Sequence, residues 1–187
     1  MEYLFHEEIK NYFNLEKNIL NQLNLDDINN FINVIIETVQ KGGIIYICGN
    51  GGSASTASHF VNDFNKGVNT FNNFPFKCIC LSDNISTLTA IANDISYDEI
   101  YRYQIYNRLN PHDVVIGISG SGNSMNVVNA ITYANFCGCT TIGLTGFDGG
   151  SLKQLCDYNI HVPIDNMQIV EDIHLVIDHL TMFILNQ

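Results

Sequence analysis

Two apolar runs in this sequence, residues 44–48 and 113–118, each break into a glycine-rich loop and then into a helical pattern. A strand that is apolar along its whole length is covered on both faces, as in a parallel sheet flanked by helices. Residues 77–81, 140–145 and 158–162 read the same way. Between these strands, residues 54–64, 86–93, 98–109, 125–136, 151–156 and 170–185 carry helical patterns. The alternation predicts an α/β fold with a doubly wound, five-stranded parallel sheet. Residues 1–41 precede it with two helical stripes, one from Tyr3, Leu4, Ile9, Phe13, Ile19 and Leu23, the other from Ile28, Phe31, Ile35 and Val39. Leu25-Asp26-Asp27 offers the second helix its N-cap, and Gly42-Gly43 ends it. A chain of 187 residues is of single-domain size. The expected organisation is a helical pair over 1–41, part of the same domain and an oligomer interface, leading into the α/β body over 42–187.

Charge narrows the ligands. The chain has 8 Lys+Arg against 19 Asp+Glu, a formal net charge of −11. Polyanion binding needs clustered cations that release counterions, and these eight are scattered. The sequence therefore argues against nucleic acid and against an anionic membrane surface. A phosphate ligand must be held mainly by backbone N–H groups and hydroxyls. Only 14% of residues are charged, few for the surface of a monomer, which points to buried subunit interfaces. The six cysteines include two C-x-C pairs, Cys78/Cys80 and Cys137/Cys139, both inside apolar runs. Zinc sites usually space cysteines more widely and gather four ligands, so these read as packing thiols. Met1-Glu2-Tyr3 leads into charges without an apolar secretory core, and no run of ~18 apolar residues appears. The expected location is a reduced cytoplasm.

The loops read Gly49-Asn50-Gly51-Gly52-Ser53 and Ser119-Gly120-Ser121-Gly122-Asn123-Ser124. Glycine lets the backbone approach an anion, and a helix start offers unpaired N–H groups and a positive dipole end. The second loop adds three hydroxyls. Neither is a P-loop, and the first departs from G-x-G-x-x-G. One such loop reads as a capped turn. Two, beyond the carboxyl ends of separate strands in one sheet, predict an anion site.

Chemistry concentrates on two helices. His59 and Asp63 stand four apart, on one helical face, where they can share a metal or orient one another. The last helix carries Glu171, Asp172, His174, Asp178 and His179. At ~100° per residue, Glu171, His174 and Asp178 share a stripe, while His179 lies ~80° from Glu171. Spacing alone thus nominates Glu171, His174 and Asp178 as a cluster.

The stretches CGNGGSASTASHF, LTAIANDISYDEIY, GISGSGNS, IGLTGFDGG and VEDIHLVIDH occur in that order. With them the sequence resembles the sugar isomerase (SIS) domain family and, within it, the phosphoheptose isomerases. The resemblance implies a flavodoxin-like sheet and a homotetramer with active sites between subunits. It implies isomerisation of sedoheptulose 7-phosphate to D-glycero-D-manno-heptose 7-phosphate, the first step toward activated heptose for lipopolysaccharide, capsule or another glycan. Carried over residue by residue, it implies substrate contacts from Asn50, Gly51, Gly52, Ser53, Asn93 and Asp94. It implies phosphate binding by Ser119, Gly120, Ser121 and Ser124. Asp63 becomes the general base and His179 the general acid, or the reverse. Positions matching His59, Asp63, Glu171 and His179 bind zinc in the family's metal-containing members, which implies one zinc per subunit, with Glu171 also facing substrate. Glu171 and His179 are ~12 Å apart along a helix axis, so one ion joins them only if both lean together or they come from different subunits. His174 stays in reserve, or is packed and hydrogen-bonded.

Three positions depart from the family pattern: Asp63 where Glu is usual, Glu171 where Gln is usual, and Gly120 where Thr is common. The added carboxylate implies stronger dependence on a divalent ion, and Gly120 a wider sugar pocket. Two other readings accompany this one. The chain is an isomerase of another sugar phosphate, or a non-catalytic SIS protein that binds a sugar phosphate or a replication initiator. Such non-catalytic members tend to lack the helix acid and the last-helix histidine, and the presence of Asp63, Glu171 and His179 favours catalysis.

Overall fold

The computed structural model describes residues 3–68, 70–71 and 74–187. Its elements are α1 (His6–Leu20), α2 (Leu25–Gln40), β1 (Ile45–Gly49), α3 (Gly52–Asn62), β2 (Thr70–Phe71), β3 (Phe74–Pro75), β4 (Cys78–Cys80), α4 (Ile85–Asp94), α5 (Arg102–Ile105), β5 (Val114–Ser119), α6 (Met125–Phe136), β6 (Thr140–Thr145), α7 (Gly150–Leu155), β7 (Tyr158–His161) and α8 (Met167–Leu185). Five strands form one parallel sheet in the order β4-β1-β5-β6-β7. Counted within the sheet this is 2-1-3-4-5, the flavodoxin-like order, whose direction reverses between β1 and β5. Met1 and Glu2, at the start of the expected leading segment, lie outside the described residues.

Alternation along the strands sorts the core. Ile45 and Ile47 join Phe31 and Ile35 of α2, Phe60 of α3 and Ile177 of α8 on one face of the sheet. Tyr46, Cys48 and Val115 join Ile91 of α4, Val127 and Ile131 of α6 and Leu152 of α7 on the other. Every residue of β1 and β5 is buried, which is why their sequences carry no alternation. Burying a large apolar side chain contributes about 1.5–3 kcal/mol, so Phe31, Phe60 and Ile35, with no exposure, tie α2 and α3 firmly to the sheet. The leading helices differ: α2 belongs to this core, whereas α1 touches α8 through Ile19 and through Tyr12, whose hydroxyl donates to Asp172; α1 leaves Ile9 and Phe13 exposed, as are Leu4 and Phe5 just before it.

Two local expectations are corrected. The cap of α2 is Asn24, whose side chain accepts the Asp26 N–H at 2.9 Å. Asp26 and Asp27 fall in the first turn, where the helix dipole favours acids. Residues 98–109 do not form one helix. A 3₁₀ turn, Tyr97–Glu99, is followed by the four-residue α5, and Asn107 turns left-handed at φ 56°. Tertiary anchoring overrides the helical pattern: Ile100, Tyr101 and Ile105 are buried, and Asn107 donates its N–H to the Tyr133 hydroxyl at 3.0 Å. The two-stranded β2–β3 hairpin has no counterpart in the sequence pattern, its strands being only two residues long.

Candidate active site

The two glycine-rich loops leave neighbouring strands at the switch point, where Gly49 is in register with Ile118. The first is braced from several sides. Asn50 exchanges a reciprocal amide pair with Asn126, at 2.8 and 2.9 Å. Its carbonyl oxygen also accepts from the Tyr97 hydroxyl at 3.0 Å, and the Tyr101 hydroxyl reaches both that oxygen and the Gly49 carbonyl. Burial raises the Tyr101 phenol above its ordinary value, so it stays a donor. Gly51 adopts φ 54°, ψ −123°, a conformation that favours glycine. Asn126, Tyr97 and Tyr101 escape sequence reading because their partners lie on other elements.

The second loop keeps its hydroxyls together. Ser119 Oγ donates to Ser124 Oγ at 3.1 Å and lies 3.5 Å from Ser121 Oγ. Ser121 Oγ accepts the Asn123 N–H at 3.2 Å. Ser124 stands at the N-cap of α6 without a side-chain cap bond. The expectation that Gly120 widens a pocket is corrected: the space a side chain would occupy there is filled by the Met167 sulfur, with Val170 behind it.

α3 and α8 pack side by side, and their register decides what meets what. The Glu171 carboxylate lies over Gly52, close enough that a Cβ on Gly52 would collide with it. It faces the start of α3, where the helix dipole favours a negative charge. His179, two turns further along α8, faces His59, with the two Nε2 atoms 3.1 Å apart. His59 Nε2 is 3.5 Å from Asp63 Oδ2, and Asp63 Oδ1 accepts from the Asn62 amide at 3.0 Å. Asp63 opens a π-helical turn, Asp63–Gly67, a distortion frequent at functional sites.

Of the four residues expected around a metal, His59, Asp63 and His179 come together and Glu171 stands apart at the other end of α3. The fourth member of the group is Asp178: one ligand atom from each of His59, Asp63, Asp178 and His179 lies within 4.8 Å of the others. Asp178 is fully buried, and among the described residues neither carboxylate oxygen has a hydrogen-bond partner. Burial, and after it the Asp63 carboxylate, push the Asp178 carboxyl up to about 8. The stripe of Glu171, His174 and Asp178 held a sequence signal for it, but that stripe does not converge: His174 is buried with its Nε2 3.4 Å from the Thr145 carbonyl. Burial pushes the His174 imidazole down to about 4.

The geometry suits a divalent ion. Two imidazole nitrogens on one tetrahedral zinc stand about 3.3 Å apart, close to the observed 3.1 Å, and an orphaned buried carboxylate beside them supplies the charge. His59 also walls a cavity of about 570 Å³ with Ala54, Ser55, Ser58, Asn62, Ser82 and Asp83. A second, of about 260 Å³, adjoins it between Asn50, Gly51, Leu88, Tyr97 and Tyr101. The serine loop lies beside Asn50, outside the walls of both. Asn93 and Asp94, hydrogen-bonded to one another at 2.8 Å, are exposed at the end of α4. All six cysteines are free thiols, and the group above contains none. Among the described residues no helix is long and apolar enough to cross a membrane.

A doubly wound parallel sheet with two anion-suited loops at its switch point, and a histidine–carboxylate group behind one of them, makes this an α/β protein with a site suited to an anionic ligand and to acid–base or metal chemistry. Residues 11–146 match the family model of the SIS domain, and the chain belongs to the SIS domain family. It is 41% identical to the phosphoheptose isomerase of Aliarcobacter butzleri over 78% of this chain and 77% of that one. Two solved structures superpose on it: the phosphoheptose isomerase of Neisseria gonorrhoeae (TM-score 0.88, 26% identity, covering 98% of this chain and 99% of that one) and one from Francisella tularensis (TM-score 0.87, 27% identity, 98% of both).

Proposed function

We propose that this chain is an aldose–ketose isomerase that converts sedoheptulose 7-phosphate to D-glycero-D-manno-heptose 7-phosphate, as the names of its relatives suggest. The observation that carries the reading is the convergence of His59, Asp63 and His179 in and beside the wall of the larger cavity. The reaction moves one proton between adjacent carbons and one between their oxygens, through an enediolate. Ser119, Ser121 and Ser124, with the N–H groups at the start of α6, hold the phosphate, which explains how a chain so poor in cations binds it. Asn50, Gly51, Gly52 and Ser53 form the floor under the sugar, and Asn93 and Asp94 offer an amide and a carboxylate to its hydroxyls. Asp63 takes the proton from carbon and returns it to the neighbouring carbon. His179 Nε2 carries the proton between oxygens when no ion is present and serves as a ligand when one is. A divalent ion such as zinc, one per subunit, would be held by His59, Asp63 and His179 and would supply Lewis acidity toward the substrate.

The exposed apolar face of α1 supports assembly into a homotetramer with the sites at subunit contacts, and light scattering of the purified chain measures it. The product enters heptose synthesis for lipopolysaccharide or capsule in the cytoplasm, whose reducing conditions suit six free thiols. Proton NMR in heavy water tests the activity. With sedoheptulose 7-phosphate, an aldose C1–H signal appears and deuterium enters C2, and Asp63→Asn slows this by about 100- to 10,000-fold. Ligand broadening without turnover replaces the reading with non-catalytic binding of a sugar phosphate.

A further inference from the structure

We infer that Asp178 is a direct ligand of the divalent ion in this chain, completing the set His59, Asp63, Asp178 and His179, while Glu171 stays at the start of α3 outside it. This rests on the divalent-ion reading of the site and adds the ligand that spacing along α8 had grouped elsewhere. Two observations meet at Asp178. Its ligand atom lies within 4.8 Å of those of both histidines and of Asp63. Its side chain is fully buried, and neither oxygen has a hydrogen-bond partner among the described residues. A carboxylate taken out of water is retained when paired, hydrogen-bonded or bound to a metal. No ion pair among the described residues includes Asp178, and a cation at the shared focus of the four side chains would give its carboxylate a partner.

The geometry also explains why Asp178 and Glu171 differ. Glu171 sits two turns before His179 and meets Gly52, whereas Asp178 adjoins His179 and meets the far end of α3. Adjacent helical residues point ~100° apart. The group therefore lies between the directions of residues 178 and 179, in the space where α3 crosses over into its π-helical turn. Two imidazoles and two carboxylates make a neutral-ligand and anionic-ligand set suited to zinc. Both histidines remain exposed, which leaves the solvent side of the group open to a substrate oxygen.

Zinc binding by the full-length, metal-stripped protein tests this, read by competition with a chelating dye, with Co²⁺ absorption as a second probe. Asp178→Asn is expected to weaken Zn²⁺ binding by roughly 100-fold or more, at least the loss that removing an outer-shell partner causes. It is also expected to change the Co²⁺ band. Glu171→Gln is expected to leave both within about twofold. Zn²⁺ raises the melting temperature of the wild type and of Glu171→Gln, but much less that of Asp178→Asn; Asp178→Ala serves the same titrations if the Asn variant does not fold. Wild-type affinity in Asp178→Asn overturns the assignment, as does an equal loss in Glu171→Gln, which returns the ligand role to Glu171. A wild type that binds no Zn²⁺ overturns this assignment and the divalent-ion reading together, while the deuterium exchange experiment still decides the isomerase reading.

Discussion

The two strand-to-helix loops look alike in sequence, yet the fold uses them differently. The loop at residues 49–53 is tied down: its one amide side chain is shared among Asn126, Tyr97 and Tyr101, and the helix it opens starts against Glu171. The loop at residues 119–124 holds three serine hydroxyls that bond mainly to each other, at the start of a helix whose N-cap side chain makes no cap bond. A carboxylate already occupies the favourable electrostatics at the first helix start, so an incoming phosphate is better placed at the second. Glycine in a strand-to-helix loop permits anion binding; what surrounds the loop decides whether it receives an anion or only shapes the floor.

The contrast is sharpest in kinetics. Ser119→Ala or Ser124→Ala is expected to raise KM for the sugar phosphate roughly tenfold to hundredfold, the loss of one hydrogen bond to a charged group, with kcat and melting temperature little changed. Equal losses of kcat would make the serine loop part of the reacting centre and erase the distinction. In the braced loop the damage moves to stability. Asn126→Ala removes both hydrogen bonds of the amide pair from Asn50, leaving its oxygen to Tyr97 and Tyr101, and is expected to cost about 1–3 kcal/mol, read from denaturant unfolding. An unchanged midpoint would show that the brace does not hold the loop.

A pH experiment probes the helix between them. The His174 imidazole is about 4 in the folded chain against an ordinary value near 6.5. Between those values the unfolded chain binds the extra proton, so stability is lost as pH falls through that window. From this residue alone the loss at pH 5 relative to pH 7 is about 2 kcal/mol; the Asp178 carboxyl, pushed up to about 8, acts in the opposite sense over the same range, so the histidine's share is read as the difference between the wild-type profile and that of His174→Gln. A profile unchanged by the substitution assigns the acid sensitivity elsewhere. The smallest effect belongs to Glu171→Gln, about 0.3–1 kcal/mol from the dipole of α3. A larger change would mean the carboxylate holds more than a helix start.

Much of the site's location was legible before any coordinates. The five strands, the helices between them and both loops follow from local signals: continuous apolar runs, glycine punctuation, and His59 and Asp63 four apart on one face. Where local signals fail, a tertiary contact has intervened. Residues 98–109 carry a helical pattern but break because Tyr101 turns inward to Gly49 and Asn50. Gly120 suggested open space, which Met167 from α8 fills.

The acidic residues of α8 draw the line most clearly. The sequence by itself determined that a helix bearing Glu171, His174, Asp178 and His179 would follow the last strand, because helical periodicity is set within the helix. It could not determine which of them meets His59. That depends on how far α8 slides along α3 and how it is rotated, and both are set by packing of buried residues such as Phe60 and Ile177. A slide of one turn moves a side chain ~5.4 Å, more than the whole width of the four-residue group. Only the tertiary structure therefore placed Glu171 at the start of α3, His174 beneath Thr145, and Asp178 beside the two histidines.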